Sequence, residues 1–156
     1  MGLSRSALDD LIGLKLRLVQ LHFFAVYYAE FGPLGITPAE YAILEMVAEN
    51  PRTRQGVLAE ALSIKRSNMT KVVRGLEERG LLSRAAPADD ARAVELTLTD
   101  AGETLRQQLA SRMQRNDRLA ASALDGPEQV ELLRLLDKLL ASSASHAPNS
   151  MELADG

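Results

Sequence analysis

The run from Ile64 to Leu82 restricts the fold of this chain more than any other stretch. At helical spacing Met69, Val72, Val73 and Leu76 form one apolar stripe, with Arg66, Ser67, Thr70, Lys71 and Arg74 on the other side. Such a helix buries one face in a core and leaves a polar, basic face free, and those free side chains can reach a groove floor. Gly80 stops it, because glycine takes the left-handed conformation after a helix end at no steric cost. A shorter helical run, Gln55 to Leu62, comes just before. Two short helices joined by a tight turn, the second polar and basic on its free face, make a helix-turn-helix.

The next residues extend the pattern. Leu81 to Ala85 can make one strand, and Val94 to Leu98 alternates apolar and polar residues as a half-buried strand does. The polar loop Ala86 to Ala93 joins them into a β-hairpin wing with Arg92 near its tip. The order of helix, helix, wing and a new helix after Leu98-Thr99-Asp100-Ala101-Gly102 resembles the MarR family of transcriptional regulators. The matching residues are Leu58-Ala59-Glu60, Ser67 through Thr70, Leu76 through Leu81, Asp90 with Arg92-Ala93-Val94, and Leu98 through Gly102. They cover the middle third of the chain, and the flanking helices fit by pattern alone.

The resemblance implies a mainly α fold with a small β-hairpin wing, a winged helix-turn-helix between N- and C-terminal dimerisation helices. Residues 1–36 then hold the first dimerisation helix and 37–99 the winged domain. Residues 100–143 hold the C-terminal dimerisation helices, and 144–156 a disordered tail. The first helix is expected from Ser4 to about Phe31, with stripes Leu11/Leu14/Leu18/Leu21/Ala25 and Ile12/Leu16/Val19/Phe23/Val26. A face that wide needs more than one partner helix. Thr37-Pro38-Ala39-Glu40 reads as N-cap, first-position proline and capping box. Thr53 is placed to cap the short helix. Thr99 should cap a helix to about Leu124, with Leu105, Leu109, Met113 and Leu119 facing inward and Asp100 and Glu103 in its first turn. Asp125-Gly126-Pro127 reads as a break before a last helix from Val130 to Ala141, striped by Leu132/Leu135/Leu139 and Leu133/Leu136/Leu140. Lys65 stands where relatives have a capping side chain. Either it forgoes the cap for a phosphate contact, or Ser63 caps instead. Gly75 also departs from the family, where a longer side chain is usual, and its small size would suit close packing against the wing or the preceding helix.

The net charge of −3 looks wrong for a DNA binder until it is divided. From Pro51 to Arg92 there are nine cations and five anions, a local +4 that leaves −7 for the rest. Phosphate contacts depend on the local field, so an acidic body with a basic patch suits DNA. The bland alternative is a solvated charged face. The chain has no cysteine, which excludes disulfides, thiolate metal sites and thiol-based sensing. No stretch is long and apolar enough for a bilayer, and Met1 to Ser6 is not followed by a secretory core, so a cytoplasmic location is expected. HExxH, GxSxG and glycine-rich phosphate loops are absent, and the only histidines are His22 and His146. The pair Asp89-Asp90, beside Arg92 in the hairpin, suits a structural role in orienting the guanidinium. The chain reads as no enzyme and needs no cofactor.

For a dimeric repressor of this kind the resemblance implies a pseudo-palindromic operator in double-stranded DNA. Ser67, Asn68, Thr70, Lys71 and Arg74 are then candidates for groove contacts. Asn68 suits adenine and Arg74 guanine. Lys65 and Arg66 fit phosphates, and Arg92 fits the minor groove or its backbone. Ligands in the family bind between dimer helices and winged lobe, often as aromatic acids or aroyl- and cinnamoyl-type compounds. Five of the six Phe and Tyr residues, Phe23, Phe24, Tyr27, Tyr28 and Phe31, end the first helix, and Tyr41 and Met46 follow on the next. They could sandwich a ring while His22, a tyrosine hydroxyl or Arg17 fixes a carboxylate; plain core packing explains them equally. Two other functions fit the same fold: a constitutive or architectural DNA-binding protein without effector, and a winged-helix protein-interaction module.

Overall fold

The computed structural model describes Leu8, residues 10–87 and residues 92–143. The wing tip with Asp89 and Asp90 and the tail from residue 144, with His146, therefore lie outside the described residues. Two compact units divide between Ala120 and Ala121.

In the first unit, α1 spans Ile12–Phe31. Only Tyr27 and Phe31 on it are buried, while Leu11, Ile12, Leu16, Leu18, Val19, Leu21, Phe24 and Tyr28 at or on it stay exposed. A 3-10 turn at Gly32–Leu34 and Gly35, at φ +60°, redirect the chain. Helix α2 spans Pro38–Glu49 and opens as its sequence dictates: the Glu40 N–H donates to Thr37 Oγ1 at 3.2 Å and the Thr37 N–H to Glu40 Oε2 at 2.7 Å.

Thr53 does not cap a helix. It lies in a two-residue strand β1, Thr53–Arg54, and its hydroxyl donates to Asn50 O at 2.5 Å. Helix α3 spans Gln55–Ala61 and α4 spans Arg66–Glu78. Met69, Val73 and Leu76 of the expected stripe are buried in α4, and Val72 is half-buried. Strands β2 (Leu82–Ala85) and β3 (Glu95–Leu98) pair antiparallel, Leu82 opposite Leu98, and β1 adds to the far edge of β3. The core gathers Phe31, Ile36, Ile43, Leu44, Leu58, Met69, Leu76, Leu82, Leu96 and Leu109.

Helix α5 spans Asp100–Ala120. Thr99 caps it, accepting the Gly102 N–H at 3.0 Å while its hydroxyl donates to Gly80 O at 2.6 Å. Leu109 is buried and Leu105 and Met113 pack on the core, but Leu119 is exposed, because at about 100° per residue it lies roughly 120° around the helix from Met113, and Ala120 takes the inward face instead. Gly102 has a purpose that helix propensity does not show. A Cβ there would lie 2.0 Å from the Leu81 carbonyl oxygen, so only glycine lets the first turn of α5 close on the backbone after α4.

The second unit holds α6, Gly126–Ser143. It starts earlier than expected. Asp125-Gly126-Pro127-Glu128 is a helix start: the Glu128 N–H donates to Asp125 Oδ1 at 2.9 Å and the Asp125 N–H to Glu128 Oε2 at 2.9 Å. Val130, Leu133, Leu135, Leu139 and Leu140 are exposed.

Candidate nucleic-acid interface and ligand cavity

Helix α4 leaves Lys65, Arg66, Ser67, Asn68, Thr70, Lys71 and Arg74 exposed on the face opposite Met69, Val73 and Leu76. Lys65 is the N-cap residue and makes no capping bond with its side chain. Ser63 does not cap in its place. It sits at φ +52°, in the turn that closes α3, where the Ile64 N–H donates to Ala59 O at 2.9 Å. The first-turn N–H groups of α4 are thus left without a side-chain cap, at a helix end whose dipole favours anions. Gly75 does not serve close packing, since a Cβ built there meets nothing within 4 Å.

The exposed side chains differ in how they are held. Arg66 meets Glu60 at 3.4 Å and Arg74 meets Glu78 at 2.9 Å, both between exposed groups. Lys65, Ser67, Asn68 and Lys71 have no side-chain partner among the described residues. Thr70 is committed: its hydroxyl donates to Arg66 O at 2.9 Å and accepts from Gln55 Nε2 at 3.0 Å. Gln55 went unmarked in the sequence, where nothing separates it from an ordinary first-turn polar residue. Its backbone N–H also donates to Val94 O at 2.8 Å, so one residue ties α3, the recognition helix and the wing. Between them lies a polar hollow of about 480 Å³, with Arg54, Arg66 and Arg92 on its walls beside Glu60. Arg92 thus shares a concave surface with the start of α4.

Other cations of the basic window hold the lobe together. Arg79 donates to Gly35 O at 3.1 Å and Glu40 Oε1 at 3.2 Å, fastening the end of α4 to the start of α2. Arg84 pairs with Glu77 at 2.7 Å and Arg52 with Glu95 at 3.0 Å.

A second cavity, of about 450 Å³, opens among α1, α2 and α5. Phe23, Phe24 and Tyr27 line it from α1, Pro38 and Tyr41 from α2, and Met113, Gln114, Asn116 and Asp117 from α5. Of the residues expected to hold a ligand, Phe23, Tyr27 and Tyr41 are brought together here. The others are not on this lining. Phe31 is fully buried, stacked on Tyr27 at 4.8 Å with the Arg112 guanidinium 5.4 Å above its ring. Tyr28 and Arg17 are exposed on α1. His22 bonds through Nε2 to Ala120 O at 3.0 Å. Met46 packs on the core. The α5 wall carried no mark in the sequence beyond Met113, because exposed polar residues on a helix have no pattern.

Burial holds both cavity tyrosines in the neutral phenol form, pushing their pKa values well above the ordinary 10. The Tyr27 hydroxyl donates to Ile36 O at 3.0 Å. The Tyr41 hydroxyl donates to Glu45, which accepts from Arg106 at 2.9 Å, and Arg106 forks onto Glu103 at 2.8 and 2.9 Å. This chain of bonds runs from the cavity to the first turn of α5, next to the wing. Among the described residues no His, Asp or Glu grouping has the makings of a metal site. None of the described helices is long and apolar enough to cross a membrane.

Residues 34–93 match the sequence model of the MarR family. The HTH-type transcriptional repressor Rv2887 of Mycobacterium tuberculosis is 32% identical over 111 residues, 71% of this chain and 80% of that protein. A probable transcriptional regulator from Pseudomonas aeruginosa superposes with a TM-score of 0.80 at 30% identity, over 85% of this chain and 98% of that one. The PcaV transcriptional regulator from Streptomyces coelicolor, solved with its natural ligand, gives 0.75 at 25% identity over 92% and 99%. With a helix-turn-helix, a wing and these likenesses together, the chain belongs to the MarR family and is a DNA-binding transcriptional regulator of winged-helix fold, not an enzyme.

Proposed function

We propose that this protein is a homodimeric repressor that reads a pseudo-palindromic operator and is released by a small planar ligand held in the α1–α2–α5 cavity. The observation that carries the reading is the bond chain from Tyr41 through Glu45 and Arg106 to Glu103. It joins an aromatic cavity to the helix start behind the wing. A ligand that stacks against Tyr41 displaces its ring, disturbs the bond from its hydroxyl to Glu45 and so shifts the α2–α5 contact. An effector acts only through such a difference in affinity between two states. PcaV was solved with its natural ligand, which supports ligand control in this fold.

Dimerisation is supported by the uncovered apolar side chains of α1 and, separately, of α6, more than a lone regulator of this size leaves to water. Two α4 helices then enter successive major grooves about one helical turn apart. Asn68 and Arg74 serve as base readers, for adenine and guanine. Ser67 and Lys71 are further groove contacts, and Thr70 positions its neighbours. Lys65 and Arg66 meet phosphate, and Arg92 the minor groove or its backbone. Residues 1–36 and 100–143 supply the dimer and 37–99 the reading lobe. A ring stacked on Phe23, Tyr27 and Tyr41 fits the cavity. A carboxylate, as in aromatic acids or aroyl- and cinnamoyl-type compounds, finds neither Arg17 nor His22 on its lining.

The test is an electrophoretic shift with DNA from the protein's own promoter, repeated with small aromatic compounds. A shift reversed by a compound supports the reading. A shift that no compound changes points to a constitutive or architectural binder, and the absence of any shift to a protein-interaction module.

A further inference from the structure

Resting on the reading of the α1–α2–α5 cavity as the effector site, we propose that its ligand is a planar aromatic cation, with a protonated or quaternary nitrogen, and not an aromatic acid. Among the residues lining the cavity there is no Lys, Arg or His, and the one charged group is the carboxylate of Asp117. The nearby cations are committed elsewhere. Arg106 is shared between Glu45 and Glu103, and Arg112 lies between Glu30 and the face of Phe31. The His22 ring nitrogen is bonded to Ala120 O. Asp117, by contrast, has no hydrogen-bond or ion-pair partner among the described residues. Asn116, on the same wall, donates its amide to Val26 O at 3.1 Å, which leaves its side-chain oxygen as an acceptor.

The aromatic walls point the same way. Phe23, Phe24, Tyr27 and Tyr41 line the cavity, and a ring stacked on any of them meets a negative quadrupole, which attracts a cation and repels an anion. The two phenols stay neutral, so they oppose neither charge. An aromatic carboxylate entering here gives up water, gains no cationic partner and meets Asp117 with like charge. A cationic ring gains both the stacking and the carboxylate. Asp117 is exposed, so solvent screens it and its share of the affinity is modest.

The experiment is titration calorimetry of the full chain at neutral pH with three rings of one shape. They are N-methylquinolinium (cation), quinoline (neutral) and quinoline-4-carboxylate (anion). The proteins are wild type, Asp117→Asn and Phe24→Ala, both substitutions at exposed positions that spare the core. The expected order is cation, then neutral ring, then acid, with the cation bound about tenfold more tightly than the acid, a gap of about 1.4 kcal/mol. Asp117→Asn should weaken the cation by about threefold to fivefold while leaving quinoline unchanged, as loss of one screened charge requires. Equal or tighter binding of the carboxylate overturns the proposal, and so does a cation affinity indifferent to Asp117→Asn. If quinoline and the acid bind, the acid more tightly, and Phe24→Ala weakens both, the cavity keeps its effector role and only its charge preference falls. If none of the three binds, both readings fall together.

Discussion

Replacing Gly102 by alanine should destabilise the reading lobe, although the same change stabilises most helices. Alanine in a helix interior is worth about 1 kcal/mol over glycine. At Gly102 the new Cβ would lie 2.0 Å from Leu81 O, 3.0 Å from Leu81 C and 3.3 Å from Leu98 Cδ2. An ordinary carbon–oxygen contact is ~3.3 Å, so one backbone must retreat by about 1.3 Å. The obstacle is main chain and cannot rotate away. The same Leu81 carbonyl accepts the Thr99 N–H at 3.2 Å, and Thr99 caps α5 while bonding Gly80 O. Overpacking of this kind costs about 1–3 kcal/mol, and straining the bonds at Thr99 adds about 1 kcal/mol. After the propensity gain the net loss is about 1–3 kcal/mol, a urea midpoint lower by ~1 M. Gly75→Ala is the control with the opposite sign, since its Cβ meets nothing within 4 Å and should add about 1 kcal/mol. Both are measured by urea unfolding at one protomer concentration, because a dimer's stability depends on it. A Gly102→Ala midpoint at or above wild type would refute the reasoning.

Three further outcomes are expected. Arg92→Ala should weaken binding to all DNA sequences alike and make the salt dependence shallower by about 0.9 per phosphate no longer neutralised, as measured by anisotropy at several salt concentrations; unchanged affinity across salt removes Arg92 from the interface. Glu103 is held down to about 2, from 4.5, chiefly by the hydrogen bond from Arg106 and then by that from Gln107. Its folded pKa lies below the unfolded one, so its stabilising share is full above pH 4.5 and drains away as pH falls toward 2. Urea midpoints at pH 5 and pH 3 should therefore differ less in Glu103→Gln than in wild type. Deleting residues 130–156 should abolish the dimer, and a folded dimer in sedimentation would count against a role for α6 in assembly.

The features legible in the sequence were local. Thr37-Pro38-Ala39-Glu40 carries its own capping chemistry, and α2 opens there. The stripe of α4 and the stop at Gly80, φ +69°, need no distant partner to be seen. Asp125-Gly126-Pro127-Glu128 held an equally local signal. Glycine and proline masked it as a break, although Asp at the cap, Pro in the first turn and Glu three residues on spell a start. Other features were set by tertiary contact. Strand β1 is two residues long, too short for a period of two, and exists because β3 offers an edge. The aromatic cluster of α1 divides for a geometric reason. At about 100° per residue Tyr28 lies roughly 140° around the helix from Phe23, so the two cannot face one cavity. Phe31 belongs to the core because α1 ends there and the chain folds back through Ile36.

The local charge count lumped two kinds of cation. Arg52, Arg79 and Arg84 are bonded to Glu95, Glu40 and Glu77, and removing them would loosen the lobe before it touched DNA. Arg66 and Arg74 form pairs in which both partners are more than half exposed. Such pairs are worth about 0–1 kcal/mol, so a phosphate or a guanine edge can take the guanidinium from its carboxylate at little cost. On the proposed reading Glu60 and Glu78 act as placeholders that keep each guanidinium on its own surface until DNA arrives. Lys65 and Lys71 have no acid partner among the described residues. Among the described residues the cations of this window are thus graded, from those built into the scaffold, through those parked on exposed acids, to two lysines with no acid partner. On the proposed reading the last two groups set the field toward DNA, so that a chain of net charge −3 presents a basic edge to a phosphate backbone.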